Sequence, residues 1–123
     1  MGKLENKMIL VVDDEKDIRS VLKDEFELED ARVIEAENGE MALAALKGNH
    51  IDFIVSDVKM PIMGGDRLLD EVRKLNPTLP KVILVTGFAD LTEADAVRRG
   101  AEKMFHKPFD PVLISSYIAE KLK

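Results

Sequence analysis

Three acidic side chains, a threonine and a lysine stand at the ends of short apolar runs in this 123-residue chain. Asp13 and Asp14 follow residues 8–12, Asp57 follows 51–56, Thr86 closes 81–86, and Lys107 follows 103–106. If those runs are parallel strands of one sheet, all five residues lie along the same edge. Three carboxylates brought to roughly 5 Å repel one another by about 3 kcal/mol per pair at an effective dielectric near 20, so a cation belongs among them. The chain has no cysteine, which leaves oxygen donors, and oxygen donors suit a hard cation such as Mg²⁺ or Mn²⁺. A lysine and a threonine hydroxyl on the far side supply a charge and a donor that fit the remaining oxygens of a phosphoryl group.

That convergence depends on the elements that carry the residues. Five short runs, 8–12, 31–36, 51–56, 81–86 and 103–106, alternate with segments of helical period. The first and fourth runs are almost wholly apolar, as strands are when helices cover both faces of a parallel sheet. Ile18, Val21, Leu22 and Phe26 recur at +3, +4 and +8, which predicts a helix over 15–28. Asn38-Gly39 opens a second helix that Gly48 closes. Gly64-Gly65 opens a third, marked by Leu68, Val72 and Leu75 and ended before Pro77. A fourth helix over 89–99 is stopped by Gly100; its apolar positions are mostly alanine, so it is weakly anchored and easily moved. Asp110-Pro111 starts a last helix marked by Ile114, Ile118 and Leu122. Right-handed crossovers then give a three-layer, doubly wound α/β domain around a five-stranded parallel sheet, spanning residues 1–123 as one unit.

Composition narrows the function. The chain is 46% apolar and 34% charged, with a net charge of −6, which is the balance of one ordinary folded domain. No block of like charge exceeds three residues, and an acidic chain without a basic face is unsuited to direct nucleic-acid binding. The apolar stretch at 8–12 is far short of the roughly 20 residues that cross a bilayer, so no membrane segment or signal-peptide core is expected, and the location reads as cytoplasmic. No glycine-rich nucleotide motif is present.

Four segments now read together: Val11-Val12-Asp13-Asp14-Glu15, Ser56-Asp57-Val58-Lys59-Met60-Pro61-Ile62-Met63-Gly64-Gly65, Val85-Thr86-Gly87 and Lys107-Pro108-Phe109. In this order and at these separations the chain resembles the receiver domains of two-component response regulators, including the stand-alone chemotaxis type. The resemblance runs from Met8 to about Leu122. It implies a flavodoxin-like fold of strand order 2-1-3-4-5 and Asp57 as the acceptor of a phosphoryl group from a kinase phosphohistidine. It further implies that Asp13, Asp14 and Asp57 hold Mg²⁺ together with the backbone carbonyl of Lys59, that Thr86 and Lys107 bind phosphoryl oxygens, and that Lys107-Pro108 is cis. The implied partners are a sensor histidine kinase or histidine phosphotransfer protein. An output domain or protein would be reached through the fourth helix, fifth strand and fifth helix, in a monomer or a weak phosphorylation-dependent dimer. Small Gly87 would leave the site open to the donor.

The chain departs from the pattern at Met104, where the family usually carries an aromatic switch residue three places before the lysine. Lys59 and Phe88 occupy positions that tune acyl-phosphate lifetime in the family. Glu15 reads as first-turn charge suited to the helix dipole, His50 as a solvated side chain, His106 as a packed or half-exposed one, and Arg98-Arg99 as a solvated helix end. Two other functions compete. A Mg²⁺-dependent phosphohydrolase with an aspartyl nucleophile would want Asp-x-Asp where this chain has Asp13-Asp14-Glu15, and a pseudo-receiver would lack part of the site.

Overall fold

The computed structural model describes residues 1–87 and 91–122. Five strands, β1 (Met8–Val12), β2 (Arg32–Ala36), β3 (Phe53–Asp57), β4 (Lys81–Thr86) and β5 (Lys103–His106), alternate with helices. These are α1 (Lys16–Leu28), α2 (Gly39–Leu46), α3 (Gly65–Leu75), α4 (Glu93–Arg98) and α5 (Pro111–Lys121). All strand pairs are parallel, in the order β2-β1-β3-β4-β5. This is the flavodoxin-like arrangement, with one apolar layer on each side of the sheet. Leu10, Ile54, Val82 and Leu84 face α2, α3 and α4, whereas Ile9, Val11, Phe53 and Ile83 face α1 and α5. Strand order reverses between β1 and β3, and the crevice above their carboxyl ends is where such sheets bind ligands.

Several helix ends follow local chemistry. Asn38 accepts a hydrogen bond from the Met41 N–H and Asp110 one from the Val112 N–H, so both cap their helices, and Pro111 occupies the first helical position. α1 ends on Asp30 at φ 69°, with Ala31 N–H bonded to the Phe26 carbonyl and Asp30 N–H to that of Glu27. α4 ends in the same way on Gly100 at φ 108°, through Ala101 to Ala96 and Gly100 to Val97. At Gly65 the reason for glycine is space: a Cβ would stand 2.1 Å from the Asp57 carbonyl oxygen, where the start of α3 lies against the end of β3.

Some boundaries differ from the sequence expectation. The third strand runs over Phe53–Asp57. Asp52 instead uses its carboxylate to accept from the Met8 N–H and its carbonyl to accept from that of Lys81, while Ile51 is buried before the strand begins. Ala31 belongs to the C-terminal motif of α1. α2 stops at Leu46 with Lys47 as its cap, so Gly48 lies beyond the helix. Val21 and Leu75, placed on apolar stripes by periodicity, are 46% and 72% exposed, and Leu122 is the cap of α5.

The fourth helix changes most. It begins at Glu93 behind the Thr92 cap and spans six residues; the expected start at Ala89 lies outside the described residues. Nor is it loosely held. Arg99 forms a two-point ion pair with Asp70 of α3, at 3.1 and 2.7 Å, and also donates to the Asp66 carbonyl, so it is no solvated helix end. From α3, Arg73 donates to the Gly100 and Pro80 carbonyls. On β5, the Met104 N–H donates to the Glu93 carboxylate, which also pairs with Lys103 at 3.2 Å.

Ahead of β1, residues 2–4 fold back over the end of α1. The Gly2 N–H donates to the Asp30 carboxylate and the Leu4 N–H to the Glu29 carbonyl, and Leu4 is fully buried against α1 and α5 residues. Leu4→Ala is expected to destabilise the domain by about 2–5 kcal/mol, the range for truncating a packed leucine, as measured by urea unfolding. A variant as stable as wild type would show that this segment adds nothing to the core.

Candidate functional site

β1, β3, β4 and β5 each end at one or more of the candidate polar residues, and β2 contributes only a backbone acceptor. β1 ends at Val12, and the Asp13 N–H continues the sheet pairing by donating to the Ala36 carbonyl of β2, which fixes the start of the β1–α1 loop. The Glu15 N–H then donates to Asp13 Oδ1, closing a turn that exposes Asp14. Asp57 is the last residue of β3, its backbone carbonyl accepting from Ser56 Oγ and its Oδ1 from the Val58 N–H. On β4, Thr86 is almost wholly buried, and its carbonyl accepts from the Lys107 N–H at 2.8 Å, which sets the lysine just beyond β5.

Four of the five residues meet through their side chains, and Thr86 adjoins them through its backbone carbonyl. Ligand oxygens of Asp13, Asp14 and Asp57 lie within 4.8 Å of one another. Lys107 Nζ donates to Asp57 Oδ2 at 3.2 Å and to Asp13 Oδ2 at 3.3 Å. Asp13 and Asp57 are buried while Asp14 is exposed, so the cluster opens to solvent on one side. Lys107-Pro108 is cis, and so is Leu79-Pro80, which nothing in the sequence singled out. A Cβ on Gly87 would rest 3.8 Å from the Lys107 side chain, so small size there keeps the lysine's flank open. Lys59 follows two residues after Asp57 and is exposed. Phe88 lies outside the described residues.

Burial, followed by the negative charge of Asp13, raises the Asp57 pKa; Lys107 and the Val58 N–H pull the other way without cancelling it. Burial disfavours the Lys107 ammonium, but Asp13 and Asp57 more than offset this, and its pKa rises. One cation therefore faces three carboxylates, and the ionised site carries excess negative charge. A divalent cation with oxygen preference fits both the charge and the donor set.

Met104 is buried on the α3–α4 side of the sheet, in contact with its apolar layer. Phe105, next in the strand, points the other way and stacks edge-on to Tyr117 with centroids 5.9 Å apart. His50 is exposed and paired with Asp52, and His106 is exposed. Sequence reasoning missed Arg19, whose guanidinium bonds the Asp13 carbonyl at 2.7 Å; a helix-borne arginine one turn after Glu15 was the available signal. It also missed Glu93 and Arg73, which bond backbone atoms and leave no motif.

The crevice is an acid-rich cluster that could hold a metal ion at the strand ends of a doubly wound sheet. The comparisons give the class. The model of the response regulator receiver domain matches residues 9–119, and the chain belongs to that family of two-component proteins, whose members are phosphoacceptors that bind Mg²⁺ at the acidic cluster. It is 39% identical over 103 residues to regulatory protein AtoC of Escherichia coli, covering 83% of this chain and 22% of that protein. An uncharacterized 14.6 kDa protein of Leptolyngbya boryana is 39% identical over 106 residues, 85% of this chain and 81% of its own. The chain thus spans less than a quarter of the length of the first transcriptional regulators it matches. Among solved structures, a CheY-like receiver domain protein from Methanospirillum hungatei superposes with a TM-score of 0.87 at 34% identity, covering 94% of this chain and 93% of that one. TrrA from Thermotoga maritima, in complex with Mg²⁺ and BeF, gives 0.83 at 32%, covering 95% and 99%.

The raised Asp57 pKa has a stability consequence. Between the ordinary carboxyl value and the folded one, the folded state keeps a proton that the unfolded chain has lost, so stability falls as pH rises through that interval. In EDTA, Asp57→Asn is expected to melt at a higher temperature than wild type at pH 7. The gain should shrink on acidification toward the ordinary carboxyl value. Equal melting temperatures at neutral pH would contradict this.

Proposed function

We propose that this chain is a single receiver domain that accepts a phosphoryl group on Asp57 from the phosphohistidine of a sensor histidine kinase or histidine phosphotransfer protein, in a Mg²⁺-dependent reaction. The observation that carries the reading is the meeting of Lys107 Nζ with Asp57 and Asp13 inside a cluster of three carboxylates. In the transfer, an Asp57 carboxylate oxygen forms a bond to phosphorus as the P–N bond breaks, and the electron pair returns to the imidazole. Asp13, Asp14, Asp57 and the Lys59 carbonyl would hold the metal. Bound Mg²⁺ would neutralise carboxylate and phosphoryl charge. Val58 N–H and Lys107 hold the acceptor carboxylate in place, and Lys107 and the Thr86 hydroxyl then bind oxygens of the product.

A phosphoryl group adds about −1.5 to −2 charges, a charge-assisted hydrogen bond contributes roughly 1.5–3 kcal/mol, and inverting a population from 1:99 to 99:1 takes about 5.5 kcal/mol. Lys107 is already bonded to two carboxylates, so it exchanges one acceptor for another and contributes only the difference. The switching free energy then comes from the difference between the contacts made before and after phosphorylation, at Thr86 as at Lys107. The output of that shift is the α4-β5-α5 face, which meets an output domain or protein, in a monomer or weak phosphorylation-dependent dimer. Among the described residues no helix is long and apolar enough to cross a membrane, and the domain works in the cytoplasm, without direct contact to nucleic acid.

The test is intact mass after exposure to acetyl phosphate with Mg²⁺. Wild type is expected to gain one phosphoryl increment and Asp57→Asn none, and EDTA abolishes the gain. A gain surviving in Asp57→Asn moves the acceptor elsewhere, and continuous release of phosphate from ordinary phosphate esters would favour a phosphohydrolase.

A further inference from the structure

Of the three carboxylates, Asp13 is held most elaborately, and one of its restraints comes from a residue outside the cluster. Arg19 sits one turn into α1, with its own N–H donating to the Glu15 carbonyl. Its side chain is only 12% exposed and reaches back to the loop. There Nη1 donates to the Asp13 carbonyl oxygen at 2.7 Å, while Nε donates to Glu35 Oε1 on β2 at 3.1 Å. Glu35 is in turn paired with Lys23 at 3.7 Å. The guanidinium is thus fixed at one end by a carboxylate on the sheet and bridges to the peptide that joins Asp13 to Asp14.

That peptide decides where the two acidic side chains point. Asp13 is pinned on its N–H by Ala36, on its Oδ1 by the Glu15 N–H and on its Oδ2 by Lys107. The Asp13–Asp14 peptide itself is pinned by Arg19, and a rotation of that peptide swings the exposed Asp14 carboxylate. A planar fork with two directed donors can join a carbonyl and a carboxylate at once, which a lysine ammonium on a flexible stem does less well. Groups that orient metal ligands from behind typically change metal affinity by about 10–100-fold when removed.

We propose that Arg19 is a positioning residue for the metal site: it locks the Asp13–Asp14 peptide so that both carboxylates face the cation, and Glu35 orients it for that task. The proposal rests on the reading of Asp13, Asp14 and Asp57 as the Mg²⁺ site. Electrostatics alone demands the opposite. Arg19 is a positive charge near a cation, and removing it should tighten binding if charge were its only role. The sign of the change therefore separates orientation from charge.

The experiment is Mg²⁺ titration of the unphosphorylated protein, followed by calorimetry and by backbone amide NMR. With no Trp, and with its only Tyr at position 117, the chain offers no fluorophore beside the site. Arg19→Met is expected to weaken Mg²⁺ binding by about 10-fold. Its phosphorylation rate should return to the wild-type level at saturating Mg²⁺, which a general loss of structure would not permit. Glu35→Gln, which frees the guanidinium without removing its charge, is expected to weaken binding by a smaller factor. It also serves as the deciding variant if Arg19→Met fails to fold by circular dichroism. Unchanged or tighter binding in a folded Arg19→Met, or unchanged binding in Glu35→Gln where Arg19→Met is unfolded, overturns the role of Arg19. A wild type that binds no Mg²⁺ overturns the site reading and this inference with it.

Discussion

Three carboxylates share one crevice with the Lys107 ammonium, and the rest of the molecule is arranged around that cluster. Asp13 and Asp57 are both buried, and at Asp57 the attraction of Lys107 only partly offsets the loss of hydration and the repulsion from Asp13. Such a cluster holds together only if its backbone cannot relax. The restraints are correspondingly many. Val58 N–H and Ser56 Oγ fix Asp57, Ala36 and Glu15 fix Asp13, and the Thr86 carbonyl fixes Lys107. All of these except Glu15, the cap of α1, belong to strands or to the first residue beyond them, so the sheet is the main support of the cluster. Stored repulsion of this kind is also what makes the site responsive, because a divalent cation or a change of charge on Asp57 acts on a state that is already unfavourable.

Lys107 is bonded to Asp13 and Asp57, so a change of charge on Asp57 acts on an ion pair already made. Thr86, at the end of a central strand, leads directly into the residues before α4. That helix is short yet tied at three places, by Arg99 to Asp70, by Arg73 to its C-terminal glycine, and by Glu93 to β5. The arginine ties are directed toward α3 and the glutamate tie toward β5. Any displacement of α4 must therefore exchange ion pairs and not only apolar contacts, and its position should respond to ionic strength as well as to the site.

Much of this was legible in the sequence because it depends on type and period. Apolar runs marked five strands, and acidic or basic residues at their ends marked the crevice; the meeting of Asp13, Asp14, Asp57 and Lys107 needed no knowledge of side-chain geometry. Parallel strands bring their carboxyl ends to one edge whatever their exact boundaries, so the two-residue error at the start of β3 did no harm to the site. What was not legible depends on backbone acceptors. Arg19, Arg73 and Glu93 bond carbonyls or an N–H, and every residue offers those, so the partner leaves no mark in the sequence. The fourth helix was misjudged for the same reason: alanine content reported its apolar contacts accurately but said nothing of its polar anchors. Ile62 is a further case. It sits at φ 72° between Pro61 and Met63, whose N–H bonds the Pro61 carbonyl, a turn that β-branched residues seldom adopt and that no pattern announces.

β5 is the last strand on its side of the sheet, and its Met104 N–H is occupied by a side chain from the helix beside it. An uncovered row of such groups is a template on which another chain can lay a strand. Glu93 therefore acts as a stopper for the sheet as well as an anchor for the helix. Helix and strand edge are coupled by one carboxylate, so a conformer in which α4 has swung away is also one whose sheet is open to growth, and lengthy residence in it would carry an aggregation hazard that the closed form does not.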